Sequence, residues 1–327
     1  MSLPDRLPAA LRRLRIPVIG APLFIVSTPK LVIAQCTAGI VGAFPALNAR
    51  EAEGEPIALE AWLAEITEAL AAHDREHPDR PAAPFAVNQI VHRSNTRLER
   101  DIEICARWKV PIWITSLGAR PEVFEAARSC GGIALHDVIH DGFARKAIEK
   151  GADGLIAVAA GAGGHAGTQS PFALVREIRS WFDGPLALSG AIATGEAVLA
   201  AEAIGADFAY IGSAFIATEE ATAKPEYKRM VVESGAEDIL YTDHFTGVHG
   251  NYLKGSIRAQ GLDPDALPAT AAETMDFGAR LIAGAKAWRV IWGAGQGVGA
   301  IRDVLPVADL VARLEAEYRA ARARLGA

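Results

Sequence analysis

Eight short, continuously apolar segments recur along the chain and restrict its fold more than any other feature. A continuous apolar run, rather than an alternating one, is typical of a strand buried on both faces of a parallel sheet. The spacers between the segments carry helix signals, such as Thr28 as an N-cap followed by Pro29 at the first helical position. The segments cover residues 16–23, 38–45, 84–90, 110–117, 131–138, 153–161, 184–192 and 207–215.

This pattern predicts an α/β fold, a (β/α)8 TIM barrel, since eight buried strands alternate with helices and the length suits that fold. A doubly wound open sheet is the alternative. We predict that the barrel occupies residues 1–216, with residues 49–84 as an insertion that carries one amphipathic helix. Residues 217–327 are predicted to form a helical extension over the substrate side of the barrel mouth, with the last segment packing back on the barrel. Within it, residues 241–264 form an unusually polar segment to which the sequence assigns no role.

The composition favours a globular enzyme and argues against nucleic acid or a membrane as a partner. Half of the 327 residues are apolar, 22% are charged, the formal charge is −6, and no block of Lys or Arg occurs. No apolar run reaches ~18 residues without a charge or a turn signal, so no membrane span is expected. The three cysteines lack metal-ligand spacing, and the N-terminal residues do not make a convincing signal peptide. We therefore expect a cytoplasmic protein with a small-molecule ligand, and a homodimer is one option for its assembly.

Small residues follow the last two predicted strands, at the ends where barrel enzymes carry their chemistry. The chain reads SGAIATG from residue 189 and IGSAFIAT from residue 211. Barrels commonly bind phosphate at these two ends through backbone N–H groups, which small side chains leave accessible. Gly190, Ala191, Gly212 and Ser213 are therefore the phosphate candidates. The alternative is that small residues only permit tight loops.

A glycine-rich stretch, AGAGGHAGTQSP, covers residues 160–171 after the sixth segment. Gly161 and Gly163 fit a loose dinucleotide-binding fingerprint, but the next helix signal comes several residues too late and no acidic residue has the required spacing. We therefore interpret the stretch as a flexible loop at the barrel mouth. From such a loop His165 could face a ligand and titrate near neutral pH, and a solvated histidine is the alternative.

Other polar groups lie within the apolar runs. Asn88 and His136 could contact a ligand, or could make ordinary hydrogen bonds at the barrel rim. A second glycine-rich stretch, GAGQGVG at residues 293–299, has no long strand before it and is not a nucleotide-binding loop by itself. No set of His, Cys, Asp or Glu stands out as a metal site, so we predict none.

Taken together, these motifs resemble the nitronate monooxygenases, formerly called 2-nitropropane dioxygenases. The resemblance rests on AGGHAG, SGAIATG and IGSAFIATEE after the last three strands, and on IPVIGAPLF and FAVNQI earlier in the chain. The tail WGAGQGVGAIRDVLPVADLVARL is also similar. The likeness is strongest over residues 15–220 and weaker in the middle of the extension.

The resemblance implies a barrel that binds FMN and a catalytic histidine at His165. It implies substrate contacts from the extension, for which Lys254 and Gln296 are the candidates. Four positions depart from the family's usual residues. Ala191 replaces the second glycine of a Gly-Gly pair, and Ser213 replaces the threonine of a Gly-Thr pair. Val158 and Gly161 replace larger or polar residues before the histidine. The implied cofactor-binding residues are Ala21, Pro22, Leu23, Asn88, His136, Gly163, Gly164, Ser189, Gly190, Ala191, Gly212 and Ser213.

The reaction implied by the resemblance is the oxidation of an alkyl nitronate or nitroalkane by O2 to a carbonyl compound and nitrite. His165 would position the anion or remove the α-proton of a neutral nitroalkane. Related barrels reduce quinones or enoyl thioesters with NAD(P)H, and that reductase activity is the first alternative. A non-catalytic flavin- or phosphate-binding protein is the second.

Overall fold

A closed barrel of eight parallel strands forms the body of the protein, so the predicted TIM barrel is confirmed. The computed structural model describes residues 7–50, 57–267 and 290–326. The barrel strands pair in the order β1-β9-β8-β6-β5-β4-β3-β2, and a parallel bridge between Ile19 and Val41 closes the circle. In chain order the strands are β1 (Val18–Gly20), β2 (Gly42–Pro45), β3 (Phe85–Ile90), β4 (Ile112–Ser116), β5 (Ile133–Val138), β6 (Gly154–Val158), β7 (Gly164–His165), β8 (Leu186–Ser189), β9 (Phe208–Ile211), β10 (Ile239–Thr242) and β11 (Gly250–Leu253).

The barrel strands read as unbroken apolar runs because both of their faces are buried. One face packs in the barrel interior, where Ile19, Ile114 and Phe208 belong to one apolar cluster. That cluster includes Leu11 of the short 3-10 helix Ala9–Arg13 and Leu7 just before it, so the N-terminal residues contribute to the barrel interior. The other face packs against the surrounding helices. Two buried faces leave only the strand ends for polar chemistry.

Helices surround the barrel, and the last of them takes the eighth position. The C-terminal helix Val307–Leu325 packs beside the helices Gly195–Ile204 (α7) and Pro29–Thr37 (α1). Its Glu317 carboxylate accepts a hydrogen bond of 2.8 Å from the Gly195 amide. The second position belongs to α2, which lies within residues 49–84 and packs beside α1 and α3. The other helices are α1 (Pro29–Thr37), α2 (Ile57–Glu76), α3 (Leu98–Arg107), α4 (Pro121–Ser129), α5 (Asp141–Glu149), α6 (Pro171–Arg179), α7 (Gly195–Ile204), α8 (Ser213–Ile216), α9 (Pro225–Glu233) and α10 (Lys254–Arg258).

The extension contains a small sheet in addition to helices. Its polar segment folds into an antiparallel pair, β10 and β11, and β11 pairs in turn with β7 of the barrel's sixth loop. The extension is therefore joined to that loop by backbone hydrogen bonds. The domain boundary at residue 216 stays a prediction. Across the described residues, no helix combines the length and the apolar character that a membrane crossing requires.

Candidate active site

A cavity of about 790 Å³ opens at the carboxyl ends of the barrel strands. Its walls include the predicted catalytic histidine and every predicted cofactor-binding residue. It also reaches segments of the extension, among them Tyr227, His249 and Trp292. The predicted set on its walls comprises Ala21, Pro22, Leu23, Asn88, His136, Gly163, Gly164, His165, Ser189, Gly190, Ala191, Gly212 and Ser213.

The two predicted substrate residues are not among those that line the cavity. The Lys254 ammonium lies 3.6 Å from the Asp265 carboxylate. Gln296 is exposed, and its backbone N–H donates to the Gly161 carbonyl at 2.9 Å. Their proposed substrate contacts stay predictions without support from the cavity geometry.

His165 lies in a two-residue strand rather than in a flexible loop. Its backbone is in register with Gly250 of β11, and its ring nitrogen Nε2 lies 3.4 Å from the Thr246 hydroxyl. The ring is half-buried and borders the cavity. Burial disfavours the charged imidazolium and lowers the pKa of His165 to about 4. The side chain is therefore a neutral imidazole at physiological pH.

The glycines before His165 permit close packing against the second glycine-rich stretch. A β-carbon on Gly163 would lie 2.7 Å from the Gly295 amide nitrogen, closer than such atoms approach. The Gly161 carbonyl accepts from the amides of both Ala191 and Gln296, at 3.2 and 2.9 Å. The stretch at residues 293–299 is thus a wall of this site, a role that its sequence pattern did not reveal.

The ends of β8 and β9 are lined by small residues and open into the cavity. Gly190 has a φ of +149°, and a β-carbon there would lie 2.8 Å from the Ala160 carbonyl oxygen. At Gly212 a β-carbon would come within 3.3 Å of the Leu23 side chain. The Ser213 hydroxyl accepts a hydrogen bond of 2.8 Å from the Gly295 amide, which links the β9 end to the extension.

A hydrogen-bonded row of polar side chains crosses three neighbouring strands inside the barrel mouth. The Asn88 amide on β3 donates to the Ser116 hydroxyl on β4 at 2.8 Å. The Asp137 carboxyl on β5 accepts from that hydroxyl and from the Leu117 amide. Burial dominates over these bonds and raises the pKa of Asp137 to about 6. Among the described residues on the cavity wall, Asp137 alone carries a carboxylate.

His136, predicted to bind the cofactor, has its ring in the helix-facing layer. Its Nδ1 lies 2.6 Å from the Thr115 hydroxyl, and the ring meets Phe124 of α4 edge-on at 6.2 Å. Burial lowers the pKa of His136 to about 4. Since side chains alternate along a strand, Asp137 is the neighbour that enters the barrel interior. The role of His136 in cofactor binding stays a prediction.

Comparison with known proteins identifies the family. The family model for nitronate monooxygenase matches residues 9–317. The chain belongs to the nitronate monooxygenase family. The resemblance inferred from the motifs is therefore confirmed.

Individual relatives agree with this membership. A nitronate monooxygenase of Paraburkholderia phytofirmans is 28% identical, with 93% of this chain and 92% of the relative covered. A solved nitroalkane oxidase from Streptomyces ansochromogenes is 26% identical, with a TM-score of 0.78 and coverage of 97% and 100% of the two chains. FabK from Thermotoga maritima shares the fold at 22% identity, with a TM-score of 0.75 over 96% of each chain. This nitronate monooxygenase-like chain is accordingly a flavin-dependent oxidoreductase, as predicted.

One departure from the family's usual pattern is visible in the backbone. Ala191, where the resemblance implies the second glycine of a pair, has a φ of +54°. Holding a non-glycine residue in this left-handed region costs about 1–2 kcal/mol. The chain keeps the glycine-like turn despite the added methyl group, so the cavity end retains its small-residue shape.

Several residues that line the cavity were not predicted from the sequence as part of the site. Tyr227 and Trp292 stack at 4.9 Å between ring centroids, and burial raises the pKa of Tyr227 far above its ordinary value. Lys146, Lys150 and Lys224 also border the cavity. The three lysines and Tyr227 lie on helices or in the extension outside the quoted motifs, and Trp292 opens the tail motif, which by itself does not indicate a contact with the cavity. The described residues hold no cluster of three or more His, Cys, Asp or Glu able to bind a metal.

Proposed function

We propose that the protein oxidises alkyl nitronates or nitroalkanes with O2, using bound FMN, to carbonyl compounds and nitrite. One observation carries the proposal: a single cavity brings together His165, Asn88 and the small-residue ends of β8 and β9. Family membership supports flavin-dependent nitronate oxidation at the level of the family.

The residues present fit FMN. The cavity volume of about 790 Å³ is within the range of cofactor sites, roughly 300–1,000 Å³. Gly190, Ala191, Gly212 and Ser213 would hold the phosphate, since side chains larger than these would fill the strand ends. Asn88 would contact the flavin, and residues 21–23 would lie beside it. Bound FMN would supply the electron-accepting centre of the reaction.

His165 would act on the substrate as a neutral base. With a neutral nitroalkane, the imidazole takes the α-proton, the electrons of the broken C–H bond form the C=N bond of the nitronate, and the N–O π electrons move onto oxygen. The products of this step are an imidazolium and an adjacent anion. Burial makes the imidazolium costly, and the low pKa of His165 reflects that cost. The attraction between the imidazolium and the anion offsets it. With a preformed nitronate, the same side chain positions the anion.

The test begins with cofactor loading and ends with product analysis. Protein purified with FMN should show flavin absorbance, and incubation with ethyl nitronate under air should consume O2 and release nitrite and acetaldehyde. A protein that stays colourless after incubation with FMN would refute the cofactor assignment. A loaded protein that leaves the nitronate unchanged would refute the reaction. Size-exclusion chromatography with light scattering would test the predicted homodimer.

A second candidate function is NAD(P)H-dependent reduction of quinones or enoyl thioesters. The stacked pair Tyr227 and Trp292 favours it, since this aromatic wall with Lys224 nearby could receive a second planar, anionic ligand. Anaerobic addition of NADH to the loaded protein separates the two candidates. Rapid loss of flavin absorbance with NADH, together with no reaction with ethyl nitronate, would assign the reductase activity.

A further inference from the structure

The polar turn between β10 and β11, residues 243–249, reaches His165 from the extension, next to the backbone pairing of His165 with Gly250. Thr246 in this turn is buried, and its hydroxyl oxygen lies 3.4 Å from His165 Nε2. The Ala166 amide donates to the His249 carbonyl at 3.3 Å, so the backbone holds the turn against the same strand. The turn and the strand that carries His165 are therefore held together by side-chain and backbone contacts.

The hydrogen bonds of Thr246 determine which atom donates to which. Its hydroxyl carries one proton, and the Val248 carbonyl at 2.9 Å can only accept. The hydroxyl proton is therefore committed to Val248, and the Thr246 oxygen faces its remaining neighbours as an acceptor. The Val248 amide and the Tyr252 hydroxyl also lie 3.4 Å from this oxygen. Because the oxygen has two lone pairs, it accepts from at most two of its three neighbours at a time. His165 Nε2, facing the same oxygen, makes a favourable contact only when it carries a proton.

We propose that Thr246 is a positioning residue that fixes His165 in its Nε2–H tautomer, the form of the neutral imidazole in which Nδ1 carries the lone pair. The two nitrogens of a neutral imidazole are distinct, and a partner on one sets the protonation of the other. The polar segment of the extension thereby gains a role: it selects the reactive form of the histidine. The tautomer assignment is independent of the reaction, whereas the assignment of Nδ1 as base rests on the proposed function.

The first test measures the tautomer by NMR of the FMN-loaded protein with ¹⁵N-labelled histidine. His165 signals are assigned by their loss in His165→Gln. We expect a protonated Nε2 and an unprotonated Nδ1 in the wild type and in Thr246→Ser. Thr246→Val should shift His165 toward the Nδ1–H tautomer. An unchanged tautomer in Thr246→Val would overturn the proposal.

The second test measures kinetics, with a control from the same hairpin. Thr246→Val should lower kcat/KM for a neutral nitroalkane by roughly 10- to 100-fold, the usual effect of losing such an orienting partner, while Thr246→Ser retains most of it. Thr242→Val removes a hydroxyl that accepts from the His244 amide at 3.1 Å and belongs to β10 rather than to the turn. It should leave both readouts unchanged. If Thr246→Ser is as impaired as Thr246→Val while its tautomer is retained, the link between tautomer and catalysis is wrong. If the tautomer responds as expected but no variant turns over nitronates, the proposed function fails and the positioning role stands.

Discussion

Gly163 and Gly295 approach so closely that a β-carbon on Gly163 would lie 2.7 Å from the amide nitrogen of Gly295. The first residue belongs to the loop that carries His165, and the second to the segment that precedes the C-terminal helix. This contact joins the two sides of the cavity wall.

Replacing Gly163 by alanine should separate the two segments. Such overpacking typically costs about 1–3 kcal/mol, and here it should also weaken FMN binding because the cavity wall moves. The matched control is Gly299→Ala, in the same segment, where a β-carbon would meet its nearest atoms at 3.8 Å. Thermal unfolding and FMN titration measure the two effects. If the two variants unfold and bind FMN alike, the close contact between Gly163 and Gly295 does not determine the position of the cavity wall.

Replacing His165 by glutamine should remove the base while retaining the fold. We expect kcat/KM for neutral nitroethane to fall by about 10²–10⁴-fold, the usual contribution of general base catalysis. Turnover of preformed ethyl nitronate should fall less, because that substrate has already lost its proton. Comparing the two substrates at saturating FMN checks this. An equal loss for both would place His165 in anion positioning alone.

Asp137 should make stability depend on pH between about 4 and 6. Its pKa is raised by burial to about 6, so the native state binds the proton more tightly than the unfolded state does. The stabilising contribution is full at pH below the unfolded pKa and is lost as pH rises through about 6. Asp137→Asn should remove this decline, so the variant gains melting temperature relative to the wild type on going from pH 4.5 to pH 7.5. A constant difference between the two proteins across that range would contradict the assignment.

The buried ion pair between Arg179 and Asp207 should be important for stability. The two groups lie 2.5 Å apart with side-chain exposures of 8% and 4%, and Asp207 also accepts from the Leu186 amide. Arg179→Met leaves the carboxylate buried without its partner, which typically costs about 3–5 kcal/mol. Arg120→Met, which breaks exposed pairs with Glu99 and Glu122, should cost less than about 1 kcal/mol. Urea unfolding of both variants measures the difference.

Sequence reasoning predicted the barrel because its signals are local. Each barrel strand overlaps one predicted apolar segment, since a strand buried on both faces must be apolar throughout. The extension was less predictable. Its segment around residue 241–253 forms strands whose partner β7 lies far away in the sequence, and no local alternation announces a two-residue strand.

The site was predicted as a set of residues and not as a geometry. All of the proposed cofactor residues line one cavity, yet Lys254 and Gln296 do not, because the path of the extension cannot be derived from motifs. His136 and Asp137 show the same limit within one strand. Both are polar residues in an apolar run, and only the register of β5 with its neighbours decides which one faces the barrel interior.

By itself, the sequence determined the strands, the small residues at their ends and the histidine that follows the sixth barrel strand, because each follows from local chemistry. The tertiary structure alone decided what these residues meet. It brought Thr246 to His165 across 81 positions of sequence, and Gly295 to Gly163. The loop that carries the histidine is ordered because a distant strand satisfies its backbone hydrogen bonds, and long-range pairing of this kind leaves no periodic trace in the sequence.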